Sequence, residues 1–183
     1  MQAEINSPER IPSADSSAIK VAIIYEDFAS GTRAKHFAER LAEGLESHCP
    51  LSESIWRSEL LEYAPLAERA ARAAADCDYL IISLRGDRVL PAATQIWIGA
   101  QLDGAAARGT ALIFLADSYH GKWRVVEGTR RYLRTACEAK GVNFFSHAIT
   151  APPGDWSSRW TAGTAPVAIE LPVTLRMPAL LDA

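Results

Sequence analysis

Tyr79-Leu80-Ile81-Ile82-Ser83-Leu84 is the stretch that decides the fold, because it carries apolar side chains at consecutive positions and only Ser83 is polar. Successive residues of a strand point to opposite faces, so a strand that does not alternate must be covered on both sides. That is the condition of a central strand in a parallel sheet. Upstream, Pro65 to Ala75 is alanine-rich with Leu66, Ala70 and Ala74 on one helical face, and Ser54-Ile55-Trp56 reads as a weaker strand. Further upstream, Lys20-Val21-Ala22-Ile23-Ile24-Tyr25 is apolar and β-branched, the mark of another strand. A polar turn, Glu26 to Gly31, follows it, and Thr32 is read as the cap of a helix in which Phe37, Leu41 and Leu45 share a face.

Downstream of the central strand the alternation continues. Arg85-Gly86-Asp87-Arg88 reads as a loop, and Pro91 suits the first turn of a helix carrying Ile98 and Leu102 towards Gly109. Ala111 to Leu115 is a fourth strand, Asp117 to Trp123 a polar and aromatic loop, and Gly128 to Lys140 a helix closed by Gly141. Val142 to Ile149 completes five strands. Strands that alternate with helices form right-handed crossovers. The expected architecture is therefore a flavodoxin-like, doubly wound α/β domain with strand order 2-1-3-4-5 and helices on both faces.

Three segments follow: an extension over residues 1–18, the α/β domain over 19–150, and an arm over 151–183. The extension is polar, with Pro8 and Pro12, and shows neither the cationic start nor the apolar core of a signal peptide, which predicts a cytoplasmic protein. No apolar run approaches the roughly 20 residues that cross a bilayer. In the arm, Pro152, Pro153, Pro166, Pro172 and Pro178 break any helix, whereas Trp156, Trp160 and the alternating Val167, Ile169, Leu171 and Val173 favour docking on protein. The recipient is the chain's own domain or, most simply, a second copy in a homodimer.

A net charge of -3 over 183 residues, with basic residues scattered among glutamates, predicts no nucleic-acid surface. The 3 cysteines, Cys49, Cys77 and Cys137, are far apart and form no Cys-x-x-Cys pair, so neither a disulfide framework nor a zinc site is expected.

Open parallel sheets bind ligands beyond the carboxyl ends of their strands. That rule gathers Glu26, Asp27, Ser30, Gly31, Thr32, Ser83, Arg85, Asp87, Asp117, Tyr119 and His120 as the candidate ligand-binding rim, with Glu26 and Asp27 as its candidate metal ligands. No catalytic constellation is evident: Ser30 lacks the Gly-x-Ser-x-Gly elbow, and Asp and His partners for it are missing.

The strand ending at Tyr25, followed by Ser30-Gly31-Thr32 and a helix, resembles the flavodoxins, and Leu90-Pro91, Trp97, Tyr119 and Trp123 extend the likeness over residues 20–149. The resemblance implies an FMN phosphate held by the first loop. Glu26 and Asp27 depart from it by placing negative charge where that phosphate would sit, with Arg33 or Arg85 as the cations that could compensate. The acidic pair also resembles the receiver domains of two-component signalling, which implies Mg²⁺ between the carboxylates. At the receivers' phosphoacceptor, hydroxyl and lysine positions this chain has Ser83, Ala116 and His147, so phosphorylation in the receiver manner is not expected. The sequence thus predicts a non-catalytic binding or regulatory module, with no cofactor. An FMN-binding electron carrier or reductase is the alternative.

Overall fold

The computed structural model describes residues 18–44, 50–117 and 123–149, all within one unit, Met1–Pro152. The arm at 151–183, residues 1–17 of the extension, and the candidate rim residues Tyr119 and His120 lie outside the described residues.

Five parallel strands form one sheet: β1 (Ile19–Tyr25), β2 (Leu51–Arg57), β3 (Tyr79–Leu84), β4 (Ala111–Asp117) and β5 (Asn143–Ile149), in the order β2-β1-β3-β4-β5. This is the flavodoxin-like arrangement that the alternation predicts. All of β3 is buried, as is all of β4, while the edge strand β2 is only half covered along its length. That difference explains why Ser54-Ile55-Trp56 reads weakly: an edge strand needs no unbroken apolar run.

The helices are α1 (Phe28–Glu43), α2 (Ala64–Ala74), α3 (Ala92–Leu102), α4 (Ala105–Arg108) and α5 (Trp123–Lys140), with a short 3₁₀ turn at Ser58–Glu62. On one sheet face, Ile24, Ile82 and Phe114 pack with Ala70, Ile98, Leu102, Leu133 and Cys137 from α2, α3 and α5. On the other, Ile23, Ile81 and Ile113 pack with Ala34, Ala38 and Ala42 of α1. Alanine on the inner faces of α1 and α2 lets those helices lie close to the sheet. Burying each large aliphatic side chain contributes about 1.5–3 kcal/mol, so the isoleucines of β1 and β3 anchor both layers.

Helix bounds depart from the sequence reading in places. Helix α1 starts at Phe28, four residues before Thr32, because Asp27 caps it. The helix after β3 is interrupted: α3 stops at Leu102, and Gly104, at a φ of 72°, turns the chain into α4. Gly141 closes α5 with a φ of 68°, as its position suggests. Among the described residues, no helix is long and apolar enough to cross a membrane.

Candidate functional site

The carboxyl ends of β1, β2 and β3 open into a cleft of about 400 Å³. Its walls are Glu26 and Asp27 after β1, Arg57, Ser58, Glu59 and Glu62 after β2, and Leu84 to Arg85 with Arg88 to Pro91 after β3. The cleft therefore lies where parallel-sheet geometry predicts, on the β1, β2 and β3 side.

The first loop is closed upon itself. Asp27 Oδ1 accepts the Ser30 N–H at 2.8 Å, and Ser30 Oγ accepts the N–H groups of Asp27 at 2.8 Å and Glu26 at 3.1 Å. The same hydroxyl donates to the Asp27 carbonyl at 2.9 Å. This is a capping box with aspartate and serine in reciprocal roles. Burial works to raise the Asp27 pKa, but the Ser30 hydrogen bonds, with Arg33 and Arg85 nearby, bring it below the ordinary carboxylate value.

Glu26 ties the first loop to the third strand. Its Oε2 accepts the Arg85 N–H at 2.9 Å, and its Oε1 faces Arg88 Nε at 4.0 Å. Two donors that would greet an anion, the Ser30 N–H in the first turn of α1 and the amide after β3, thus already meet the protein's own carboxylates. The residues do not fit an FMN phosphate in this loop: Ser30 has no hydroxyl proton or lone pair to spare, and the Asp27 carboxylate already accepts the Ser30 N–H. Among the described residues no three His, Cys, Asp or Glu side chains are grouped to hold a metal ion.

Gly31 and Thr32 serve the helix. A Cβ on Gly31 would stand 3.0 Å from the Tyr25 ring, which explains the glycine without a phosphate. Thr32 Oγ1 donates to the Phe28 carbonyl at 3.0 Å.

Beneath the rim lies a buried polar knot that the sequence did not reveal. Arg33, 5% exposed, donates from Nε to Ser83 Oγ at 3.3 Å and from Nη2 to the Leu84 carbonyl at 2.5 Å. Ser83 is fully buried and donates to the Ser30 carbonyl at 2.8 Å. Burial pulls the Arg33 pKa down, opposed by the charges of Asp117, Asp27 and Glu26, in that order. Ser83 and Asp117 are both buried at the ends of their strands, Ser83 within this knot. The signal that could have found Arg33 is its place beside Ala34 and five residues before Ala38, on the alanine face of α1.

Two further ion pairs stand at the rim: Arg57 with Glu59 at 2.9 Å, and half-buried Asp87 with Arg85 at 3.6 Å. Beside them stand exposed apolar groups, Phe28 at 88% and Val89 at 72%. Trp97, in contrast, is buried and donates from Nε1 to the Ala67 carbonyl at 3.0 Å, joining α3 to α2. The thiols are equally occupied with packing: burial pushes Cys77 and Cys137 up to about 11, far from the range of a reactive thiolate.

No family model matches the chain, and no curated protein matches it. Among solved structures it is similar to one described as Crystal Structure of TesA, with 18% identity over 68% of this chain and 76% of that chain and a TM-score of 0.35. At that identity and overlap, the likeness carries no argument about function.

Proposed function

We propose that this protein is a binding module without chemistry of its own, and that the cleft over β1, β2 and β3 takes a segment of a partner protein. The observation that carries the proposal is the saturation of the first loop. Ser30, the natural nucleophile or phosphate ligand of such a loop, makes three hydrogen bonds within its own turn. A hydroxyl so engaged neither attacks nor cradles.

What the cleft does offer is arginines and carboxylates in alternation, with Phe28 and Val89 exposed beside them. Such a surface suits a peptide segment with side chains of both signs around an apolar residue. Rim charges steer encounter and set specificity, while apolar groups supply most of the contact energy. The flavodoxin and receiver likenesses then describe the scaffold, with the FMN and phosphoacceptor chemistry absent from this reading.

An array of random peptides probed with the labelled full-length chain tests the proposal. The expected ligands carry both charge signs beside a hydrophobic residue, and Phe28→Asp and Arg88→Glu each weaken them about tenfold or more. Peptide binding that neither variant disturbs, or stoichiometric FMN retained through gentle purification, overturns it.

A further inference from the structure

Helix α5, none of whose residues line the cleft, concentrates positive charge. From Trp123 to Lys140 it carries Arg124, Arg130, Arg131, Arg134 and Lys140 against Glu127 and Glu138, an excess of 3 positive charges in a chain whose net charge is -3. Part of this excess is met inside the domain. Arg130 holds both oxygens of Glu127, at 2.7 and 2.8 Å, Lys140 pairs with Asp103 at 2.6 Å, and Arg134 lies over the Phe144 ring at 5.8 Å. Arg124 and Arg131 are left. Both are exposed, and among the described residues neither forms an ion pair.

Arg131 lines a shallow groove along α5, about 600 Å³ in volume, with Gly128, Tyr132, Thr135, Ala136 and Ala139. Steps of three and four residues set these side chains in one row on the helix, and Arg124, four before Gly128, heads the same row. At 1.5 Å per residue the row from Arg124 to Ala139 is roughly 22 Å long. Tyr132 is held as a wall of the groove, its hydroxyl donating to the Gln95 carbonyl of α3 at 3.3 Å. Among the described residues nothing lies within 4 Å of a Cβ built on Gly128, so packing within the domain does not call for a glycine that weakens the helix.

We infer that this groove docks a helix of another protein that carries carboxylates on its contact face. Charge selects the acid. Arg124 and Arg131 bring two guanidiniums without an internal counterion to the amino-terminal half of α5, where the helix dipole adds positive charge of its own. Glu138 stands near the other end, so the acidic side chains belong over the first half of the row and not beyond it. Shape selects the helix. The row is straight and several turns long, and the small side chains at Gly128, Thr135, Ala136 and Ala139 let a second helix lie close, as helices do when one packs into the groove of another. A lipid surface asks instead for large apolar side chains to insert, and this row offers only Tyr132. The inference is independent of the proposed cleft ligand and uses none of its residues.

A displayed library of helical peptides with randomised surface positions, selected on the full-length chain, tests the inference. The selected helices are expected to carry Asp or Glu on one face and to bind less tightly as salt is added. Arg124→Glu and Arg131→Glu, both at exposed positions, each keep the far-ultraviolet circular dichroism of the native fold and weaken those helices by about tenfold. Lys35→Glu in α1 makes the same change in net charge away from the groove and leaves the affinity as it is. Exchanging the peptide carboxylates for lysine abolishes binding to the native chain and restores it to the chain carrying both glutamates. A selection that yields no acidic helix overturns the inference, as do acidic helices that bind Arg124→Glu and Arg131→Glu as tightly as the native chain. So does duplex DNA, or a vesicle of phosphatidylserine, that binds more tightly than any selected helix and is lost with the same substitutions, since the arginines then serve another polyanion.

Discussion

Arg33 Nε lies 3.3 Å from Ser83 Oγ, joining the first helix to the end of the central strand inside the protein. Arg33 Nη2 meets the Leu84 carbonyl in the same approach, and Ser83 passes the connection on to the Ser30 carbonyl. The three links fix α1 against β3 just where β1 and β3 deliver their loops to the cleft. A buried guanidinium is costly to desolvate, but removing one partner from such an arrangement is costlier still. Arg33→Met is therefore expected to lower unfolding free energy by about 3–5 kcal/mol. Arg33→Lys recovers only part, because an ammonium cannot span the serine hydroxyl and the carbonyl as a fork does. Urea denaturation measures both, and an Arg33→Met midpoint equal to the native one would show that the knot contributes nothing.

Asp27 links helix capping to pH. Its pKa is lowered in the folded state, so the contribution of its carboxylate is complete above the ordinary value of about 3.9 and disappears as pH falls through the folded one. Asp27→Ala should cost about 1 kcal/mol at neutral pH, the usual loss for an N-cap. The gap between variant and native protein should then narrow in acid below pH of about 4. Unfolding curves recorded across that interval decide it, and a gap that is constant with pH would contradict the assigned cap.

The fold was legible because its signals are local, and the site was less so because its signals are not. Tyr79 to Leu84 reads as central from composition alone, and β3 is buried at every residue. Glycine at 141 ends α5 by a conformational preference carried in one residue. By contrast, Ser30-Gly31-Thr32 looks like a phosphate loop. Seeing it as the first turn of a helix requires knowing that Asp27 and Ser30 bond reciprocally, a pairing outside the usual Ser/Thr-x-x-Glu/Gln pattern. Ser83 reads as a small strand-end residue, and only packing reveals Arg33 against it. Glu26 and Asp27 read as plain loop carboxylates, and only the fold shows that the Arg85 and Ser30 N–H groups bond one oxygen of each.

His147, in the edge strand β5, supplies a second pH response. Burial lowers its pKa below the ordinary value, so the folded protein favours the neutral ring. The unfolded chain then binds the proton more readily, and stability falls as pH drops below about 6.5 towards the folded pKa. Replacing the ring by an apolar one, His147→Phe, should flatten this interval and leave the stability above it little changed in its pH dependence. Urea midpoints of the two proteins, compared across the interval, give the answer. Parallel curves would mean that His147 is solvated in both states.

Gly86 and Gly109 separate two reasons for a glycine. Both adopt positive φ, 84° and 76°, where a side chain strains the backbone. At Gly109 nothing lies within 4 Å of a built Cβ, so Gly109→Ala should cost only the conformational penalty of about 1–2 kcal/mol. At Gly86 the added carbon would stand 2.5 Å from the Asp117 carbonyl oxygen and 2.6 Å from Val126 Cγ2. The first neighbour is backbone at the end of a buried strand and cannot swing aside. Gly86→Ala is accordingly expected to cost about 3 kcal/mol or more, strain and overpacking together. It should also weaken ligand binding in the cleft, since Arg85 and Arg88 belong to the loop that must move. Denaturation of the two alanine variants side by side measures the difference. Equal losses would mean that the loop after β3 yields freely and that its close approach to β4 does not hold the cleft in shape.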